Sequence, residues 1–125
     1  MDKRKCIIAG SRTFNDYKFF ASTLNKIFKT QKPSEIISGG CRGTDTLAAK
    51  YAIKHKIPFK VFPADWNKYG KAAGPIRNIE MAEYGDYLIA FLDVDSKSRG
   101  TRGMIKIATE MGLDKMIVEY KSLKE

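Results

Sequence analysis

The chain has 125 residues, 43% of them hydrophobic and 30% charged, which is the size and balance of one globular domain over residues 1–125 and excludes a two-domain enzyme. Lys and Arg total 23 against 14 Asp and Glu, and the net charge of +9 points to an anionic partner or to general solubility. The longest apolar run, residues 87–92, is too short to cross a bilayer, and the apolar stretch behind the basic start ends at Ser11 and Arg12, so no membrane association and a cytoplasmic location are expected.

In chain order, residues 5–9 form an apolar run that reads as a buried strand, followed by the connection Gly10-Ser11-Arg12. Cys6 in this run and Cys41 lie far apart with only His55 to help them, so both are expected as free thiols, without disulfide or zinc. Phe20, Leu24, Ile27 and Phe28 make the apolar stripe of a first helix, and residues 35–38 a second strand. A glycine-rich connection, Ser38-Gly39-Gly40-Cys41-Arg42-Gly43-Thr44-Asp45, leads into a second helix striped by Leu47, Ala48, Tyr51 and Ala52. Residues 59–62 are a third strand, and a polar loop bearing Trp66 and Tyr69 follows. Pro75 is placed to open a third helix ending near Gly85, and residues 87–92 are a fourth strand. A fourth helix is expected from about Arg102 to Gly112, and residues 116–119 are a fifth strand. Alternation of strand and helix throughout specifies an α/β fold: a doubly wound, mainly parallel five-stranded sheet with helices on both faces.

Ligands of such sheets bind outside the carboxyl ends of the strands. Four glycine- and arginine-bearing connections fall there: 10–12, 38–45, 74–78 and 98–103. The 38–45 segment enters a helix from a strand, so its glycines let backbone N–H groups approach an anion, although tight turns and a close helix–strand contact require glycine equally. It is neither a Walker loop nor a GxGxxG fingerprint. Asp45 suits either a ribose hydroxyl or the positive end of its own helix. Arg77, Arg42 and Arg102 each stand near a helix start, where a cation is locally unfavourable, and such conflicts mark places where function overrides stability. Arg77 is therefore expected to bind ligand at little consequence for folding, with Asn78 as cap or contact. Trp66 and Tyr69 present faces for base stacking or for packing below them. Cys41 lacks a histidine partner for nucleophilic chemistry, and Asp93 and Asp95 read as solvated acids, so no metal is expected.

Ile8-Ala9-Gly10-Ser11-Arg12, Ser38-Gly39-Gly40-Cys41-Arg42-Gly43-Thr44-Asp45, Ala64-Asp65-Trp66, the 73–81 segment and Arg99-Gly100-Thr101 jointly resemble the SLOG superfamily, which joins the DNA-processing protein DprA (Smf) to the LOG phosphoribohydrolases. The small stand-alone YspA/YpsA-related branch is the most similar. The resemblance implies a Rossmann-like sheet binding a nucleotide or nucleotide-derived small molecule through Gly10, Ser11, Arg12, Ser38, Gly39, Gly40, Arg42, Gly43, Thr44, Asp45, Arg77, Asn78, Arg99, Gly100 and Thr101. It also implies a homodimer; no cofactor is expected. LOG enzymes cleave the N-glycosidic bond of nucleoside 5′-monophosphates with an arginine in Arg-Lys-x-x-Met and a glutamate in Pro-Gly-Gly-x-Gly-Thr-x-x-Glu. Arg77 and Met81 match the first motif, whereas Met104 stands at the glutamate position. A thioether neither moves a proton nor stabilises a cationic sugar, so binding as a sensor or sequestering protein is the expected function. LOG-like N-glycosidase activity, with Arg77 and Asp45 as candidate catalytic residues, is the alternative. Weak DprA-like binding of single-stranded DNA is the second alternative.

Overall fold

In the computed structural model, which describes residues 4–121, the chain runs β1 (Arg4–Gly10), α1 (Tyr17–Ile27), β2 (Pro33–Ser38), α2 (Thr44–Lys54), β3 (Phe59–Val61), α3 (Trp66–Tyr69), a 3-10 turn (Gly70–Ala72), α4 (Ala73–Tyr84), β4 (Tyr87–Asp93), α5 (Arg99–Glu110) and β5 (Asp114–Tyr120). The five strands form one sheet in the order β3-β2-β1-β4-β5, with every neighbouring pair parallel. From β1 the chain winds outward through β2 to β3, then returns across the sheet to β4. The reversal leaves a crevice between the carboxyl ends of β1 and β4, the place where such folds hold ligands.

Alternation decides which residues meet which helices. Cys6, Ile8, Ile36, Ile89 and Phe91 face one side with Phe20 and Leu24 of α1 and Tyr51 and Ala52 of α2. Ile7, Ile37, Leu88 and Ala90 face the other, with Met81 and Ala82 of α4 and Met104 and Ala108 of α5. Truncating a buried leucine or isoleucine in either layer should cost about 2 to 5 kcal/mol. Burial raises the Cys6 thiol to about 12, so it behaves as a packing residue.

Helix starts depart from the sequence reading in two places. α4 begins at Ala73, before Pro75, because the 3-10 turn runs straight into it; Pro75 still sits in the first turn, where its missing N–H is no loss. α5 begins at Arg99 instead of Arg102, preceded by Ser98 in a left-handed conformation, since Gly100 and Gly103 carry no periodic signal to mark its first turn. The Trp66–Tyr69 stretch is a short helix rather than a loop, with Asp65 Oδ1 accepting from the Lys68 N–H at 3.1 Å. No helix among the described residues is long and apolar enough to cross a membrane.

Candidate functional site

The crevice is a cavity of about 490 Å³. Its floor is the end of β1, Ile8 to Gly10, and its walls are Ser11 to Thr13, then Gly39, Cys41 and Asp45, then Arg77, Asn78 and Met81 of α4, and finally Ser96, Ser98 to Thr101 and Met104. The size lies within the range usual for small-molecule sites.

Glycine makes the β1 side possible. The Ser11 carbonyl accepts from both the Thr44 N–H at 3.1 Å and the Thr44 hydroxyl at 2.9 Å, which ties the β1–α1 connection to the first turn of α2. A Cβ at Gly10 would run into the Thr44 side chain, and one at Gly43, whose φ is +75°, would strike the Arg12 carbonyl. Gly10 and Gly43 therefore join two loops, while Ser38 and Thr44 lie buried beneath them.

Arg77 spans from α4 to the end of β2. Its Nη1 donates to the Gly39 carbonyl at 2.8 Å and reaches the Phe62 carbonyl at 3.5 Å, and its Nε donates to Asn78 Oδ1 at 2.9 Å. This overturns the expectation that Arg77 has little part in folding: it joins the ends of β2 and β3 to α4. It is also the fifth residue of α4, beyond the first turn, so the dipole conflict that marks it in the sequence is weaker than its position relative to Pro75 implies.

Asp45 is the one acidic residue lining the cavity among the described residues. Its Oδ2 accepts from the Cys41 N–H at 2.8 Å, closing the glycine loop over the start of α2. Burial pushes its carboxyl up to about 6, against the opposing pull of the Cys41 N–H and of Arg77 and Arg12. A carboxyl held there is still chiefly an acceptor at neutral pH and takes up its proton more readily than a free aspartate as pH falls.

Opposite, the first turn of α5 presents Arg99, Gly100 and Thr101 to the cavity, where early helical N–H groups are without intrahelical partners. The loop before it is bonded largely to itself: the Ser98 hydroxyl donates to the Asp93 carbonyl at 3.2 Å, and Asp93 Oδ1 accepts from the Asp95 N–H at 2.9 Å. Asp93 is buried and holds this turn, a role its solvated reading in the sequence does not anticipate. Met104, at 1% exposure, faces the cavity one turn into α5.

Of the residues singled out in the sequence, Gly10, Ser11, Arg12, Gly39, Asp45, Arg77, Asn78, Arg99, Gly100 and Thr101 line one cavity. Ser38, Gly40, Arg42, Gly43 and Thr44 do not. Gly40 turns outward against Val61, Arg42 is exposed, and Arg102 donates its Nε to the Lys97 carbonyl at 3.1 Å instead of lining the cavity. Thr13 and Ser96 join the lining without any signal in the sequence, because the path of an irregular loop is not periodic, and Ser98 joins it from the 98–103 connection. No three His, Cys, Asp or Glu side chains among the described residues are grouped to hold a metal ion.

A model of the YspA, cpYpsA-related SLOG family (YAcAr) matches residues 4–69, more than half of the chain and all of its half-sheet from β1 to β3. The chain is also similar to the Gene 61 protein of Mycobacterium phage D29, with 33% identity over 117 residues that cover 88% of this chain and 92% of that protein. With a parallel sheet that reverses beside β1 and the glycine connections of the first half in place, the chain belongs to the YspA, cpYpsA-related SLOG family.

Proposed function

We propose that the chain binds a nucleotide or nucleotide-derived small molecule, of the NAD, ADP-ribose or cyclic-nucleotide type, in the crevice between β1 and β4, and acts as a sensor or sequestering protein. The observation that carries this reading is the convergence of Arg12, Arg77, Arg99 and the first turn of α5 on one cavity of about 490 Å³. Guanidinium groups and free backbone N–H groups are the donors that phosphate oxygens take. Asp45, facing them, is an acceptor for the hydroxyls of a ribose. The test is mass spectrometry of small molecules released when the protein is purified and denatured, followed by titration calorimetry with the compound found. A nucleotide-derived mass and saturable binding are expected; no such mass, together with no heat from mononucleotides or ADP-ribose, overturns the reading.

A hydrolytic reading is favoured by one observation, the Asp45 carboxyl lining the cavity with its proton affinity raised by burial, the kind of environment in which carboxyls serve as general acids or bases. Against it stands Met104 at the position where LOG relatives place a glutamate. Binding without turnover therefore comes first.

A further inference from the structure

β5 is an edge strand, and it is covered far less than its neighbour: β4 is buried along its whole length, whereas Met116 is 41% and Ile117 40% exposed. These two side chains point to opposite faces, Met116 in register with Ile89 on the α1/α2 side and Ile117 with Ala90 on the α4/α5 side. Strands of parallel sheets are ordinarily buried on both faces, so a strand with one half-exposed apolar side chain on each face, and no partner along its outer edge among the described residues, has room for a neighbour.

The backbone fixes how a neighbour would attach. The Val94 N–H donates to the Tyr120 carbonyl at 3.0 Å, so Tyr120 turns its backbone groups toward β4. Because these groups alternate sides along a strand, Lys115, Ile117 and Glu119 turn theirs to the free edge. We propose that β5 pairs antiparallel with β5 of a second copy of this chain about a two-fold axis at Ile117, joining two five-stranded sheets into one. The proposal is independent of the ligand reading, because the strand lies outside the cavity lining.

Self-complementarity selects the second copy and the register. A two-fold interface sets residue i against j and j against i. With the axis at Ile117, Lys115 lies opposite the partner's Glu119 and Glu119 opposite the partner's Lys115, while Met116 meets the partner's Val118 on the other face. Ile117 meets its own copy on the axis. Moving the axis one residue toward the start of the strand sets Lys115 against Ile117, and one residue toward its end sets Glu119 against Ile117. Moving it two residues places like charges on the axis, which is unfavourable for residues directly opposite each other.

Sedimentation velocity over a concentration series, with charge-swapped variants, tests this. The wild-type chain should be a dimer, and Lys115→Glu and Glu119→Lys should each weaken it by about tenfold to a hundredfold, since symmetry turns two attractive pairs repulsive. The double variant should restore the dimer, and circular dichroism keeps loss of pairing distinct from loss of fold. A wild-type monomer at the highest soluble concentration, in which Lys115 and Glu119 merely guard the edge, overturns the proposal. So does a dimer that ignores the swap.

Discussion

The Arg77 guanidinium rests on the Gly39 carbonyl, its Nη1 donating at 2.8 Å across space that any side chain at position 39 would fill. Glycine at 39 and arginine at 77 are thus one feature built from residues 38 positions apart. Gly39→Ala should displace the guanidinium and lower stability by about 1 to 3 kcal/mol. Arg77→Ala should lower stability by a similar amount, leaving the Gly39 carbonyl without its donor, and should cost about 2 to 5 kcal/mol of affinity for a phosphorylated ligand. Urea unfolding and titration calorimetry on both variants check this; an Arg77→Ala protein of unchanged stability would contradict the structural part.

Asp45 should make stability fall as pH rises. Its carboxyl is raised from 3.8 to about 6 in the folded chain, so between those values the folded state holds a proton that the unfolded state has released. Stability is lost across that window and stays lower above it. Asp45→Asn keeps an oxygen for the Cys41 N–H and removes the buried charge, and should stabilise the chain at about pH 8 by on the order of 2 to 3 kcal/mol. Near pH 4 the two proteins should be close to equal. Denaturant midpoints at the two pH values measure the difference, and a gain of equal size at both would contradict the assignment.

Nucleoside monophosphates should remain intact on prolonged incubation with the protein. Met104 lines the cavity and stands, by resemblance, at the position of the LOG glutamate; on the proposed reading the lack of a carboxylate there should forfeit several kcal/mol of transition-state stabilisation, on the order of a thousandfold in rate or more. Chromatography of free base checks this. Multiple turnovers abolished by Asp45→Asn would move the hydrolytic reading to first place.

Single-stranded DNA should bind weakly and lose affinity steeply with salt. Trp66 and Tyr69 are half exposed, at 50% and 42%, but the Trp66 ring already packs against Gly74 and the Lys68 ammonium already lies over Tyr69. What remains is attraction from lysines that release counterions, which weakens with a slope set by the number of phosphates neutralised. Fluorescence anisotropy with an oligonucleotide at low and physiological salt measures it. Tight binding that survives high salt would shift the functional surface from the cavity to this face.

The strand positions were legible because each buried strand is an apolar run bounded by polar turns, as at 87–92, and the sheet follows from strand–helix alternation. β5 is longer than its apolar run, since Asp114, Lys115 and Tyr120 pair with β4 through backbone that no hydropathy pattern reports. The gathering of Gly10, Gly39, Arg77 and Thr101 at one sheet edge was legible for the same topological reason. The double duty of Arg77 and the turn-holding role of Asp93 were not. Both depend on carbonyls and N–H groups brought close by the fold, and those groups are the same in every residue.

The two walls of the cavity differ in how they are anchored. On one side, the two hydrogen bonds that Thr44 donates to the Ser11 carbonyl and the fit of Gly43 beneath Arg12 fasten two loops to each other before any ligand arrives. On the other, the bonds around Ser96 and Ser98 run mostly within residues 93–102. The entropy lost on binding should therefore fall on the β4–α5 side, with the β1–α2 side acting as a fixed anvil. Amide exchange should slow on ligand addition at 95–100 and change little at 10–13 and 43–45. An affinity-raising substitution is then to be sought in the β4–α5 loop, by stiffening the half of the crevice that still has freedom to lose.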